Sequence, residues 1–422
     1  MRTQVRLADT HELMDRSEVA GCSNSMRRGS PDERTGWNHG APGTPGVCPV
    51  RIIYIIDHLC NIRAGGELAL FRILRHLPRD RFQPSVVTFA VKPLSVQLLR
   101  ELECPLYVFP IERTYDWRGF KEGLRLRSLL TIERPSIVHT FFETSNTWGG
   151  LITKLSFGPK LVSSRRDMGV LRLRKHRLAY KLINALSDRV VAVSKEVGRL
   201  CIEEDRVAAE KVSVVYNGVD LDLVDRCDDH PGAKRNLGLD RASHIVTAVA
   251  NIRRIKGLDV FIRAAAIVRS DFPSAAFVIA GSPNEPQYLA ELKQLVADLG
   301  LQENVLFLGE VEDIFSLLKM SDAFCLLSRS EGFSNAVLEA MACRLPCVVT
   351  RVGGNAEAIT DGHNGYLVPA EDPRSAADRL RLLLKSPEVA KRMGREARTT
   401  IESGFTTEHM IGQLTQCYLG LC

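Results

Sequence analysis

Two successive series of short apolar runs alternate with amphipathic segments, and this pattern restricts the possible folds most strongly. The first series begins with RIIYIID at Arg51 and continues at residues 85–89, 106–109, 137–140, 160–163, 189–193 and 212–215. The second series comprises residues 245–249, 276–280, 305–308, 323–327, 347–350 and 365–368. Short continuous apolar runs separated by helices are typical of parallel sheets covered on both faces. The sequence therefore predicts an α/β protein with two doubly wound, Rossmann-like domains, whose ligands lie beyond the carboxyl ends of the strands.

Composition along the chain predicts the domain boundaries. Residues 1–48 mix charges with Gly, Pro and Ser without a period, and we expect a disordered N-terminal extension there. Residues 51–217 form the first predicted domain, 218–240 a charged linker with Pro and Gly, and 241–405 the second domain. We expect residues 406–422 to form a helix that packs back toward the first domain.

Overall composition excludes several functional classes. The chain has 45% hydrophobic and 25% charged residues, as in soluble globular proteins, and a modest net charge of +6 without a nucleic-acid-binding motif. Its 11 cysteines form no C-x-x-C pair, so structural thiols are favoured over disulfides or zinc, and neither a metal nor a cofactor is predicted. No apolar run approaches roughly 18 residues, and no signal peptide is evident. The predicted location is the cytoplasm, and the alternative is the inner face of the membrane.

The segment LSRSEGFSNAVLEAMACRLPCVVTRVGGNAEAI is the most informative part of the second series. It places Glu331 and Glu339 around a predicted helix start at Ser334, where Ser334 and Asn335 also suit an N-cap. A strand that ends in a polar turn and opens a helix directs several N–H groups at one place, and such helix starts bind phosphates. Carboxylates beside a phosphate site are suited to accept hydrogen bonds from hydroxyl groups. A nucleotide sugar offers both phosphates and hydroxyl groups.

Four motifs in this order make a family resemblance specific. They are the GGE turn at Gly65–Glu67, YNGVD at Tyr216–Asp220, NIRRIKG with Arg253 and Lys256, and EGFSNAVLEAMA with the Glu-x7-Glu pair Glu331 and Glu339. In these features the chain from Arg51 to about Phe405 resembles the retaining glycosyltransferases of family 4. Members of that family have the GT-B fold, in which two Rossmann-like domains face each other across a cleft.

The resemblance implies that the second domain binds a nucleotide diphosphate sugar. Glu331 would face the donor sugar and offset positive charge developing at its anomeric carbon, and Glu339 would accept hydrogen bonds from the ribose. Gly332, Phe333, Ser334 and Asn335 complete this donor wall. Arg253 and Lys256 would stabilise the leaving diphosphate in place of a metal ion, with Arg254 as an alternative to Arg253.

Candidates in the first domain lie after its strands. Two adjacent glycines, Gly65 and Gly66, cost backbone entropy, and we interpret them as a close approach to the ligand rather than as packing residues. The absence of G-x-G-x-x-G argues against a dinucleotide-binding oxidoreductase. His139 ends the strand SIVHT and is either a catalytic cleft residue or a buried structural histidine.

Further candidates follow the next strands. Glu143, Arg166 and Asp167 are predicted on the acceptor side. Residues 165–181 contain five Arg and two Lys against one Asp, interleaved with Leu171, Leu173, Leu178 and Leu182. This segment is either a membrane-surface helix or a solvated basic face.

These features together predict a metal-independent, retaining glycosyltransferase. It would move a sugar from a nucleotide diphosphate sugar to a hydroxyl of a glycan or lipid-linked saccharide, in cell-surface polysaccharide synthesis. The resemblance implies front-face departure and attack, with the diphosphate helping to deprotonate the acceptor. The alternatives are a nucleotide-sugar epimerase or phosphorylase on the same scaffold, and a non-catalytic sugar-binding protein.

Overall fold

Two parallel sheets organise the protein. The computed structural model describes residues 48–62, 65–169, 177–227 and 233–422. Within these ranges, the first sheet contains β1 (Val50–Leu59), β2 (Phe82–Val91), β3 (Leu106–Val108), β4 (Ile137–Phe141), β5 (Lys160–Arg165), β6 (Arg189–Ala192) and β7 (Val212–Val214). The second contains β8 (Ile245–Val249), β9 (Ala276–Ala280), β10 (Val305–Gly309), β11 (Ala323–Leu326), β12 (Cys347–Thr350) and β13 (Tyr366–Val368).

The strand order reverses once in each sheet. The first sheet runs β3-β2-β1-β4-β5-β6-β7 and the second β10-β9-β8-β11-β12-β13, with every ladder parallel. The reversals lie between β1 and β4 and between β8 and β11, the points at which doubly wound sheets bind ligands. This topology confirms the predicted fold class of two Rossmann-like α/β domains.

Helices cover both sheets. In the first domain they are α1 (Gly65–His76), α2 (Pro93–Glu101), α3 (Trp117–Glu133), α4 (Phe142–Thr144), α5 (Gly150–Leu155), α6 (Arg177–Leu186) and α7 (Lys195–Glu203). Two short helices, α8 (Leu221–Arg226) and α9 (Ala233–Asn236), follow in the segment between the sheets. The remaining helices are α10 (Leu258–Arg269), α11 (Pro286–Asp298), α12 (Ile314–Lys319), α13 (Asn335–Ala342), α14 (Asn355–Ala358), α15 (Pro373–Lys385), α16 (Pro387–Gly404) and α17 (Thr407–Leu419).

The middle of β1, residues 52–56, is apolar throughout because it is buried on both faces. Side chains alternate between the two faces of a strand. Ile52, Tyr54 and Ile56 are buried in a core cluster with side chains of α1 and α17, whereas Ile53 and Ile55 are buried under α3 and α5. Each fully buried residue of this kind contributes about 1.5–3 kcal/mol. A central strand with helices on both faces therefore has no polar side.

The chain crosses between the sheets twice, and the two crossings lie side by side. Val219 and Thr406 form an isolated parallel bridge, with Val219 N–H donating to Phe405 O at 2.9 Å. Helix α17 then packs on the first domain, where Met410, Leu414 and other side chains join the cluster around β1. Within the described ranges, no helix combines the length and the apolar composition needed to cross a membrane.

Candidate active site

Helix α13 begins where the sequence predicts a phosphate-binding turn. Ser334 occupies the N-cap position in an extended conformation, but its side chain accepts no hydrogen bond from the first turn. The buried Oδ1 atom of Asn335 has no hydrogen-bond partner within the part of the chain that the structure describes. The positive end of this helix is therefore not neutralised by a side-chain cap, and it remains suited to an anion.

Lys256 and Glu331 form an ion pair beside this helix start. Lys256 Nζ lies 2.8 Å from Glu331 Oε1, and Ser328 Oγ donates to the same oxygen at 2.7 Å. The Glu331 side chain is only 7% exposed. Among the described residues no hydrogen bond reaches the Oε2 atom, so one oxygen of a positioned carboxylate remains for a ligand hydroxyl.

A tight turn fixes the position of Lys256. Residues 254–256 form a single 3₁₀ turn, and Gly257 follows in the left-handed conformation with φ of 61°. A Cβ atom on Gly257 would lie 1.9 Å from the carbonyl oxygen of Leu327, so the turn packs directly on the end of β11. Arg329 secures the turn from the other side: its N–H donates to Ile255 O at 2.8 Å, and its guanidinium binds both Asp259 carboxylate oxygens at 2.9 Å.

This geometry predicts that Gly257→Ala lowers stability far more than Gly238→Ala. Both glycines have positive φ, 61° and 69°, so alanine costs about 1–2 kcal/mol of backbone strain at either position. Only at Gly257 does the new methyl group also overlap backbone, because nothing lies within 4 Å of a Cβ on Gly238. Thermal unfolding of the two variants checks this. Equal losses of melting temperature would show that the Leu327 contact is unimportant.

The two arginines of NIRRIKG have different surroundings. Arg254 Nη2 lies 2.6 Å from Glu291 Oε2, and its guanidinium lies 4.9 Å from the centre of the Tyr288 ring. Arg253 has only a loose ion pair, 3.9 Å from Glu285, and is about half exposed. Arg254 is thus already engaged by a carboxylate and an aromatic ring of the protein. The arrangement favours Arg253 as the cation available to a diphosphate.

Glu339 makes an ion pair across the two domains. Arg72 on α1 donates from Nη2 to Glu339 Oε1 at 2.7 Å and from Nη1 to the carbonyl of Gly218 at 2.8 Å. The Arg72 and Glu339 side chains are 11% and 10% exposed. Sequence reasoning missed Arg72, although an arginine within the apolar run LALFRILRHL was a usable signal.

The GGE turn also reaches the second domain. Gly65 O accepts a long hydrogen bond of 3.4 Å from Asn335 Nδ2, which places this turn at the start of α13. Glu67 is buried and accepts from His58 Nδ1 at 2.9 Å and from Asn61 N–H at 2.8 Å. The Glu67 carboxylate raises the pKa of His58.

Gly66 packs against the ring of Phe142. A Cβ atom on Gly66 would lie 2.2 Å from the far end of the Phe142 ring, so a side chain at position 66 would require that ring to move. Phe142 has φ of 67° and stacks on His58 with 5.2 Å between ring centres. This packing favours glycine at position 66 in addition to the close ligand approach predicted from the sequence.

Gly332 and Phe333 hold the domains together through their backbone. Gly332 O accepts from Ser194 Oγ at 2.9 Å, and a Cβ on Gly332 would lie 2.2 Å from Arg166 O. Phe333 O accepts from Asn217 Nδ2 at 2.9 Å, and Asn217 Oδ1 accepts from Arg166 Nη2 at 2.6 Å. The YNGVD segment thus lies between the domains.

The Phe333 ring belongs to an aromatic cluster. Its centre lies 5.1 Å from that of Tyr216 and 5.4 Å from that of Phe405. Tyr216 OH donates to Glu357 Oε2 at 2.8 Å, and the same carboxylate accepts from the N–H of Lys195 at 2.8 Å. These contacts give the Phe333 side chain a role in joining the domains.

The acceptor-side candidates have different environments. Arg166 is half-buried at the domain junction, and burial together with nearby Arg72 lowers its pKa to about 10. Asp167 is exposed and accepts from Gly169 N–H at 2.7 Å. Glu143 is half-buried in α4. Arg166 and Asp167 both lie next to the donor wall: a Cβ atom on Gly332 would be 2.2 Å from Arg166 O and 3.2 Å from Asp167 Cα.

The His139 side chain is held by other side chains of the protein. It is buried, its Nδ1 lies 2.6 Å from Tyr418 OH, and its Nε2 lies 2.8 Å from Ser164 Oγ. Burial lowers the pKa of His139 to about 3, so the ring is neutral. Both ring nitrogens are engaged by the protein. These contacts match the structural alternative rather than a catalytic role.

His139 should make the fold sensitive to acid. Its pKa in the folded state lies below the ordinary value of 6.5, so protons bind preferentially to the unfolded state. Its stabilising effect is therefore complete above pH 6.5 and is lost as the pH falls, by about 2 kcal/mol at pH 5. We expect His139→Gln to flatten the pH dependence of the melting temperature between pH 7 and 5. Parallel curves for this variant and the unmodified protein would contradict this.

The basic segment at residues 165–181 is only partly described. Leu171, Leu173 and the central cations lie outside the described residues, as does the Leu178 side chain. Arg165 is buried and donates to Asn184 Oδ1 at 2.6 Å, and Arg166 binds Asn217, so these two cations point into the protein. Lys181 and Leu182 are exposed.

Sequence comparisons place both domains in known families. The model for family 4 glycosyltransferases matches residues 63–223, and the model for group 1 glycosyl transferases matches residues 231–400. The chain is 33% identical over 370 residues to D-inositol 3-phosphate glycosyltransferase of Nocardia farcinica, covering 86% of this chain and 78% of that protein. It is 27% identical to UDP-Gal:α-D-GlcNAc-diphosphoundecaprenol α-1,3-galactosyltransferase of Escherichia coli, over 86% and 95% of the two chains.

A further relative matches over a shorter region. The chain is 33% identical over 207 residues to N-acetyl-α-D-glucosaminyl L-malate synthase of Bacillus anthracis, covering 49% of this chain and 53% of that protein.

Solved structures share the fold. A glycosyltransferase from Rickettsia africae superposes with a TM-score of 0.78 at 19% identity, covering 88% of this chain and 98% of the other. Anabaena HepE in complex with UDP-glucose superposes with a TM-score of 0.76 at 22% identity, covering 87% and 99%. With the two family matches and the Nocardia relative, this likeness confirms the resemblance seen in the motifs: the chain belongs to the family 4 glycosyltransferases of the GT-B fold.

Proposed function

We propose that the protein transfers a sugar from a nucleotide diphosphate sugar to a hydroxyl acceptor, with retention of anomeric configuration and without a metal ion. The observation that carries the proposal is the Lys256–Glu331 ion pair beside the uncapped start of α13. It combines a cation, a positioned carboxylate oxygen and free helix N–H groups in one place. A diphosphate joined to a sugar is a ligand that uses all three.

The residues of the second domain have separate roles in this proposal. The diphosphate lies at the start of α13, where Lys256 and Arg253 offset the negative charge that develops as the glycosidic bond breaks. Glu331 binds donor-sugar hydroxyls through Oε2 and stabilises positive charge at the anomeric carbon. Glu339, oriented by Arg72, accepts from the ribose hydroxyls. These two cations supply the charge that a divalent metal would otherwise supply.

The acceptor would bind on the first domain, near Arg166 and the GGE turn. The name of the Escherichia coli relative describes a diphosphoundecaprenol-linked acceptor, and that of the Nocardia relative an inositol phosphate. Both acceptors carry phosphate. We infer a saccharide or lipid-linked acceptor here, used in cell-surface polysaccharide synthesis at the cytoplasmic face of the membrane, with residues 165–181 as a contact to lipid.

Ligand binding tests the donor site first. Purified protein is screened by thermal shift against UDP- and GDP-sugars, and we expect stabilisation by at least one of them. No stabilisation by any nucleotide sugar would reject the donor-site assignment.

Turnover tests the reaction. Release of nucleotide diphosphate that requires an added acceptor supports transfer; conversion of the donor without an acceptor would indicate an epimerase, and binding without turnover a sugar-binding protein. Proton NMR of the product reports its anomeric configuration. Activity that survives EDTA supports metal independence, and loss that Mg²⁺ or Mn²⁺ restores would reject it.

A further inference from the structure

Helix α3 exposes a large apolar surface that the core does not use. Trp117 is 76% exposed and Phe120 is 56% exposed, and their rings stack with 5.5 Å between centres. Tyr115, just before the helix, and Leu124, one turn further along, are exposed as well. We call Tyr115, Trp117, Phe120 and Leu124 the α3 patch. A cluster of large apolar side chains exposed on a protein surface indicates an interaction site.

The α3 patch cannot turn inward, because the opposite side of the helix is already buried. Gly123, Leu126 and Leu130 face the sheet, where Leu126 and Leu130 pack in the cluster under α3 and α5. Residues at positions i, i+3 and i+7 share one side of a helix, which places Trp117, Phe120 and Leu124 together on the solvent side. The helix therefore has two apolar sides, and only one of them serves folding.

Cations surround the α3 patch. Arg113, Arg118, Lys121 and Arg127 are exposed, and none of them pairs with a carboxylate among the described residues. Two nearby acids are already engaged: Asp116 accepts from Gly119 N–H at 2.7 Å as the N-cap of α3, and Glu122 binds Arg125 at 2.6 Å. A third, Glu112, is exposed beside Arg113, so the cations still outnumber the exposed acid.

Exposed aromatic rings surrounded by unpaired cations suit one kind of partner, an anionic lipid surface. Trp and Tyr favour the interface between lipid headgroups and acyl chains, and cations beside them bind lipid phosphates. We propose that the α3 patch docks the protein on an anionic phospholipid bilayer. This surface is separate from residues 165–181. The inference does not depend on the proposed reaction, because no residue of the α3 patch belongs to the donor site.

Vesicle binding by the full chain tests the proposal. We expect co-sedimentation with vesicles of phosphatidylcholine and phosphatidylglycerol, and weaker binding to phosphatidylcholine alone. Trp117→Ser combined with Phe120→Ser should reduce binding at least tenfold. Arg118→Gln combined with Lys121→Gln should reduce it about 25-fold, roughly fivefold for each cation near an anionic surface. Leu94→Ser removes a similarly exposed apolar side chain, 52%, on α2 and should leave binding unchanged.

Tryptophan fluorescence gives a second readout. In a Trp37→Phe background the remaining tryptophans are Trp117, which is exposed, and Trp148, which is buried. Insertion of Trp117 into the headgroup region should then shift the emission to shorter wavelength. Trp117→Phe should keep the binding and lose this shift.

Four results would overturn the proposal. Three are full vesicle binding by the Trp117→Ser/Phe120→Ser variant, equal binding to neutral and anionic vesicles, and an emission shift that persists in Trp117→Phe. A dimer in solution that this double variant dissociates would also overturn it, because the α3 patch would then be an interface between two copies. Unchanged melting temperatures of the variants exclude misfolding as the cause of lost binding.

Discussion

Lys256→Ala is expected to lower the rate of glycosyl transfer by about a hundredfold to a thousandfold and to abolish the thermal shift produced by the nucleotide sugar. The reason is electrostatic. Lys256 Nζ is held 2.8 Å from Glu331 Oε1 at the start of α13, where a leaving diphosphate would develop charge. Rates with saturating donor and acceptor, together with thermal shifts across a donor titration, measure both effects.

Controls separate this chemistry from a loss of folding. Lys256→Ala leaves the buried Glu331 carboxylate without its cation, so some loss of stability accompanies the change. Combining Lys256→Met with Glu331→Gln removes both charges and should recover stability but not activity. Lys293→Ala, at an exposed lysine of α11 in the same domain, should change neither property. Transfer by Lys256→Ala within threefold of the unmodified protein would remove Lys256 from the mechanism.

Local sequence patterns were sufficient to predict the fold. Strands buried on both faces must be apolar throughout, so runs such as RIIYIID could be recognised without knowledge of their neighbours. The predicted α/β class and the membership of family 4 are both confirmed. In the site, the structure brings Lys256 next to Glu331, 75 residues apart in sequence, and both had been selected from their motifs.

Contacts between distant segments were not predictable in this way. Arg72 and Glu339 are 267 residues apart, and His139 and Tyr418 are 279 apart, so no local pattern connects them. The packing of Gly66 against Phe142 was not predictable either, because Phe142 belongs to α4, far along the chain.

Helical periodicity was also insufficient to predict which side of α3 is buried. The segment WRGFKEGLRLRSLLTIE carries apolar residues on two sides, and the sequence does not say which side meets the sheet. Burial of Leu126 and Leu130 settles this and leaves Trp117 and Phe120 in solvent.

Arg72→Met is expected to weaken donor binding and to destabilise the protein by about 3 kcal/mol. Removing one member of a buried ion pair leaves an uncompensated charge, at a cost of about 3–5 kcal/mol. The Glu339 side chain is 10% exposed, and Arg72 also holds the carbonyl of Gly218 between the domains. Arg75→Met, at an exposed arginine on the same helix, is the matched control and should have little effect.

A double-mutant cycle distinguishes the contribution of this pair from that of each residue alone. Glu339→Gln is combined with Arg72→Met, and unfolding and donor affinity are measured for all four proteins. If Arg72 orients Glu339 for the ribose, each single variant weakens donor binding, and the double variant is no weaker than Glu339→Gln. Tighter donor binding in Arg72→Met would contradict this, because Arg72 would then compete with the ribose for the Glu339 carboxylate. Additive changes in stability would show that the 2.7 Å contact contributes nothing to joining the domains.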